Sequence, residues 1–135
     1  MPTIHRSMRR DGDTPLLGDS SSALGVRCPG DVTPDDAGLA GPGQGLSVAP
    51  GWRSLPFTMI PARLRHKLPK ARGPNSSHCW RHGTGDFRDG QVAPDLNLRV
   101  TSPVHGLVEP ASPMPLSDYR RAIADTRSDW TIDEQ

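Results

Sequence analysis

Hydrophobic positions in this chain change period several times, and no stretch keeps one period for long. Over residues 3–9 they alternate. Ile4, Arg6 and Met8 fall on one side and His5 and Ser7 on the other, which predicts an edge strand. Asp11-Gly12-Asp13 then signals a turn, and residues 10–22 read as loop. Leu24–Arg27 predicts a short strand stopped by Pro29-Gly30. The glycines between 38 and 51 form a turning loop that feeds a strand around Leu46–Ala49. Trp52, Leu55, Phe57, Met59 and Ile60 are the densest apolar group and are expected in the core. Pro61 opens a helical turn over Ala62–Lys67, which Pro69 ends. Residues 70–90 are polar and glycine-rich and read as a long loop or lid.

Leu96, Leu98 and Val100 alternate with Asn97 and Arg99 as a strand does, and a second strand over Val104–Glu109 ends at Pro110. Ser112 or Ser117 stands where it can cap a helix over Leu116–Thr126. That helix presents Tyr119, Ile123 and Thr126 on one face, and Trp130 continues the face beyond it. Short strands come first and the clearest helix comes last. The order predicts an α+β fold rather than βαβ repeats.

Composition narrows this picture. The 135 residues suit a single domain, 1–135. Only 33% are apolar, and Gly and Pro together make up about a fifth of the chain, which excludes an all-helical bundle. No apolar run approaches the roughly 18–20 residues that span a bilayer, and Met1–Arg10 lacks an apolar secretory segment. With two cysteines, Cys28 and Cys79, there is no disulfide framework. The expectation is a cytoplasmic protein with reduced thiols and no membrane partner.

The net charge of +1 conceals an uneven distribution. Residues 1–36 carry four basic and six acidic side chains, residues 37–85 seven basic and no acidic, and residues 86–135 five basic and nine acidic. The acid-free stretch either presents a positive field suited to phosphates or is neutralised by the acidic C-terminal third. The first alternative keeps a nucleic-acid or partner-binding module in play through Arg63, Arg65, Lys67 and Arg72.

Several constellations carry chemistry on paper. Gly41-Pro-Gly-Gln-Gly45 lacks the Lys-Ser/Thr of a P-loop, but it brings bare backbone N–H groups near the Ser47 hydroxyl. His78-Cys-Trp-Arg-His82 holds two histidines and a thiol within five residues. Further zinc ligands would have to come from Cys28, His66 or His105, and no second paired cluster exists, so no metal is expected. Ser47, His105 and Asp125 make a hydrolase triad only without the usual Gly-x-Ser-x-Gly elbow, since Ala49 occupies its last position. His105 and Glu109 share one side of a strand about 13 Å apart, a separation that suits opposite ends of one cleft.

Four blocks occur in a shared order: Gly38-Leu39 with Pro42-Gly-Gln-Gly-Leu-Ser47-Val48, Gly85-Asp-Phe87, Val92-Ala-Pro-Asp-Leu-Asn-Leu98, and His105-Gly-Leu-Val-Glu-Pro-Ala-Ser-Pro-Met114. With Ile4-His5-Arg6 and Asp11-Gly12-Asp13 ahead of them, they resemble the small ADP-ribosyltransferase-like toxins delivered between bacteria by type VI secretion. The matched stretches cover about a third of the chain. The resemblance implies an ADP-ribosyltransferase-like fold, with two small β-sheets flanking a cleft for NAD and few short helices. It implies NAD as co-substrate, a macromolecular acceptor in the cytoplasm, and a cognate immunity protein as partner. Carried over residue by residue, it gives Ser47 and His105 as functional positions, Arg6 as the first-strand group that grips NAD, and Gly45 in the cofactor-binding turn. Glu109 is the available candidate for the superfamily's catalytic carboxylate. The hydroxyl residue that often precedes the family's serine is Leu46 here, and residues 53–83 match little and read as an inserted basic loop.

Overall fold

The first strand organises everything that follows. A computed structural model describes residues 1–135, with strands β1 (Ile4–Asp11), β2 (Thr14–Pro15), β3 (Leu39–Ala40), β4 (Leu46–Val48), β5 (Ser77–His82), β6 (Gly90–Ala93), β7 (Leu96–Ser102), β8 (His105–Pro110), β9 (Met114–Pro115) and β10 (Thr131–Ile132). The one α-helix, α1, spans Leu116–Ala124, and short 3-10 turns cover Trp52–Ser54, Ala62–Leu64 and Arg127–Asp129. The strands form two four-stranded sheets, ordered β10-β5-β1-β2 and β4-β8-β7-β6, and a small β3-β9 ribbon. All the ladders are antiparallel, so the fold is α+β with one short helix.

Period-2 alternation works as read in β1. Ile4 and Met8 enter the main core, while Ser7 on the other side donates to the Met59 carbonyl at 2.6 Å. The strand is interior rather than an edge, because β5 pairs with it along six residues from Ile4↔His82 to Arg9↔Ser77 and β2 pairs with its far end at Arg10↔Pro15 and Asp11↔Thr14. That pairing corrects the reading of 70–90 as a loop. Ser-His-Cys-Trp-Arg-His has no β-branched residue and looks polar, yet it is sandwiched between two cores: Trp80 packs in one and Cys79 in the other. Strand geometry also disposes of the zinc reading, since His78 and His82 four residues apart on a strand stand about 13 Å apart.

The main core lies between the two sheets and α1, and includes Ile4, Met8, Leu46, Trp80, Leu96, Leu98, Tyr119 and Ile123. A second, smaller core of Ala49, Trp52, Leu55, Ile60, Leu64, Ala71 and Cys79 sits under the segment read as an insertion. Phe57 and Met59 were expected inside but are exposed, because both fall in the turn between Pro56 and Ile60. Leu24 makes only an isolated bridge with Leu17, although Ala23–Val26 are buried, so that stretch packs without forming a strand. The helix ends at Ala124 and not at Thr126. The Thr126 hydroxyl turns back to the Ile123 carbonyl at 2.7 Å and accepts the Trp130 indole N–H at 2.9 Å. Its N-cap is Pro115, so neither Ser112 nor Ser117 caps it.

Candidate functional site

The two large sheets meet at one backbone bridge. His5 N–H donates to the Ala49 carbonyl at 2.7 Å, and Ala49 N–H returns the bond to His5 at 2.9 Å. This seam sets Arg6 beside the end of β4, where its guanidinium donates to the Ser47 carbonyl at 3.1 Å. The same guanidinium reaches the carbonyls of Ala23 through Nε at 3.3 Å and through its other terminal nitrogen at 3.2 Å, and that nitrogen also reaches Ser21 at 3.4 Å. Four of its five N–H groups are thereby used on backbone, which leaves one for a ligand. No carboxylate touches it. Burial draws its pKa down to about 10, against the pull of Asp31 and with the help of Arg27, so it stays charged at neutral pH.

A cavity of about 300 Å³ opens at this seam, lined by Arg6, Ser7, Ser47, Val48, Leu55 and His105 among others. The structure therefore brings three of the residues singled out from the sequence to one place. They come from β1, β4 and β8, and the cavity crosses the junction of the two sheets. Ser47 points outward from a strand whose neighbours Leu46 and Val48 are buried, and its hydroxyl is unbonded within the protein.

His105 opens β8 after the Pro103-Val104 turn, and its ring is set by a residue the sequence reading overlooked. Thr101 Oγ1 lies 2.6 Å from His105 Nδ1 and donates to the His105 carbonyl at 3.1 Å. The Thr101 hydroxyl thus holds the ring from its Nδ1 side, and Nε2 has no partner within the protein. The signal for Thr101 was its position four residues ahead of His105 across a tight hairpin, legible once β7 and β8 were paired.

No protein-family model, curated protein or solved structure matches this chain.

Glu109 and Gly45 lie outside the cavity. Glu109 does share a face of β8 with His105, but its carboxylate accepts from Gly43 N–H at 2.8 Å and from Arg99 Nε at 3.0 Å. It anchors the glycine-rich loop to the sheet. Gly45 serves close packing, since a Cβ there would stand 2.2 Å from the Val108 carbonyl oxygen and 2.8 Å from the Tyr119 hydroxyl. Asp125, the third member of the paper triad, belongs to a different cavity beside α1.

The basic segment is tied down by the acidic residues that end the chain. Glu134 accepts from Arg63 at 2.9 Å and bonds His78 Nδ1 at 2.9 Å, while its carbonyl takes Lys67 Nζ at 2.7 Å. Asp133 pairs with His5 Nε2 at 2.9 Å, and the Gln135 carbonyl takes Trp52 Nε1 and Arg53, each at 3.0 Å. Burial works against the Glu134 carboxylate, but the hydrogen bonds from Arg63 and His78 outweigh it and hold its pKa below the usual range. For Arg63, and more loosely for Arg81 with Asp133 at 3.8 Å, the neutralised alternative holds, whereas Arg53 and Lys67 are tied to backbone carbonyls and keep their charge. The strap also fixes the Trp52–Ser54 turn, which forms one wall of the cavity with Leu55.

Proposed function

We propose that this protein is an ADP-ribosyltransferase-like toxin that takes the nicotinamide end of NAD into the seam cavity and acts on a cytoplasmic macromolecule. The observation that carries the reading is the convergence of Arg6, Ser47 and His105, from three strands of two sheets, on one cavity. At about 300 Å³ it stands at the lower end of the roughly 300–1,000 Å³ of small-molecule pockets, a size for one end of a dinucleotide rather than the whole. The charged Arg6 at its wall favours electron-rich groups, and the Ser47 hydroxyl is free to hold a carboxamide.

In the transfer, the bond between ribose C1′ and the nicotinamide nitrogen breaks, and its electron pair leaves with neutral nicotinamide. The acceptor's nucleophile bonds to C1′, and His105 Nε2 takes the proton that the nucleophile releases. The cavity wall contains no carboxylate, so the oxocarbenium character at C1′ is met by the His105 imidazole. That same feature favours one second reading, a toxin of this fold that occupies a cellular target without turnover.

Growth of bacteria after induced cytoplasmic expression of the wild type, Ser47→Ala and His105→Ala, at matched soluble levels, tests the proposal. Both side chains are exposed, so neither change should alter stability by more than about 0.5 kcal/mol. Arrest by the wild type alone, accompanied by loss of cellular NAD, is the expected result. Arrest by all three without NAD loss supports the non-catalytic reading, and no arrest at high soluble levels overturns both.

A further inference from the structure

A second surface lies away from the seam, between α1, the β6–β7 turn and the end of β5. Two cavities, of about 580 and about 310 Å³, share Ala93, Pro94 and Asp129 in their walls and so run together as one groove. Asp95, Asp118, Asp125 and Asp129 line it against two cations, the Arg121 guanidinium and, at the narrower end beside His82, the Met1 ammonium. Arg121 reaches only Asp118, loosely, at 3.9 Å. The other three carboxylates make no ion pair and no side-chain hydrogen bond. Elsewhere in the molecule Asp31, Asp133 and Glu134 are all taken up by arginine or histidine.

An independent feature of the same groove is His82, which closes its narrower end. The residue is 95% buried, as its 5% exposure shows, and its ring leans on Trp130 with centroids 5.3 Å apart. Neither ring nitrogen has a partner within the protein, and Nδ1 is sealed from solvent. Burial keeps the ring neutral despite Asp129 nearby, so it offers an acceptor nitrogen rather than a second charge. The other ring nitrogen, Nε2, has neither a protein partner nor that seal, so it is the atom a donor bound in the groove can reach.

The unpaired carboxylates call for a cationic ligand, and an organic one. No three ligating side chains converge as a metal ion requires. The two joined cavities also extend well past the reach of one small cation. We propose that this groove docks a basic segment of a partner protein, with arginine or lysine side chains paired to Asp95, Asp125 and Asp129 and one N–H donor directed at His82. The surface is separate from the seam cavity and stands whether or not the seam turns over NAD.

The test uses the full chain and a hexa-arginine peptide as probe, followed by amide and imidazole NMR shifts. The expected result is saturable shifts at Ala93, Asp95, Asp125 and the His82 ring, weakening as salt rises. Asp125→Asn/Asp129→Asn should weaken binding at least tenfold. Asp19→Asn/Asp36→Asn removes the same charge from exposed positions outside the groove and should change it by less than twofold. Equal weakening by both pairs, shifts that map elsewhere, or no binding at millimolar peptide would each overturn the proposal. The wild-type shift map stands even if a variant fails to fold.

Discussion

The Tyr119 hydroxyl ties the helix by hydrogen bonds to the strand that carries Ser47. Tyr119 is fully buried on α1, donates to the Val108 carbonyl at 2.5 Å and accepts from Leu46 N–H at 3.1 Å. Leu46 and Val108 face each other in the β4–β8 register, so the hydroxyl stands inside the ladder, where the strands would otherwise bond directly. Tyr119→Phe keeps the ring and its packing but leaves a buried donor and a buried acceptor unpaired. Each orphaned group costs about 1–3 kcal/mol. Partial closure of β4 onto β8 recovers some of this, which gives an expected loss of about 2–3 kcal/mol. At roughly 2.1 cal/mol/K per residue of unfolding entropy, that lowers Tm by about 7–11 °C. Urea unfolding followed by tryptophan fluorescence measures it well, because Trp52, Trp80 and Trp130 are all buried. The slope should not change, since the same surface is exposed on unfolding. A loss below about 0.5 kcal/mol would refute the idea that this hydroxyl holds β4 in place.

Three further outcomes follow from the same contacts. Gly45→Ala places a methyl against the Val108 carbonyl oxygen and the Tyr119 hydroxyl, and should cost at least about 2 kcal/mol in the same assay; a neutral result would mean the loop yields freely. Stability should be greatest between about pH 7 and pH 9 when Tm is scanned against pH. On the acid side, burial depresses the His82 pKa, so the unfolded chain binds the extra proton below the ordinary 6.5. Below the usual carboxylate range the pairs of Asp133 and Glu134, whose pKa values the fold lowers, are lost in turn. On the alkaline side, burial pushes Cys79 up to about 12 and also raises Tyr119, so the unfolded state ionises first and stability falls from about pH 9. A flat profile from pH 7 to pH 5 would remove the His82 contribution. Finally, a thiol reagent at pH 8 should label one cysteine in the native protein, the exposed Cys28, and two in denaturant; rapid labelling of both would show that the second core opens readily.

The sequence by itself determined those elements whose signal is local. Alternation at Ile4, Arg6 and Met8 and at Leu96, Leu98 and Val100 is a property of neighbours along the chain, and β1 and β7 form where it occurs. The Asp11-Gly12-Asp13 turn, with Gly12 at φ 62°, and the helix that buries Tyr119 and Ile123 are of the same kind. Ser47, His105 and Arg6 were legible as candidates because their residue types and blocks stood out.

Only the tertiary structure decided what required distant partners. β5 is a strand because β1 and β10 pair with it and a core lies on each side, which a polar-looking hexapeptide does not announce. Glu109 and His105 do share a face, but Gly43 and Arg99, brought from other segments, decide that the carboxylate anchors a loop instead of joining the cavity. Electrostatics followed the same rule. The acid-free stretch left an open positive field and neutralisation by the C-terminal third equally available, and the strap returns the Glu134 carboxylate to Arg63 and His78 from more than fifty residues away. Periodicity records which face of an element is buried. Which charges and hydrogen-bonding groups then meet across that burial depends on chain segments that sequence distance does not order.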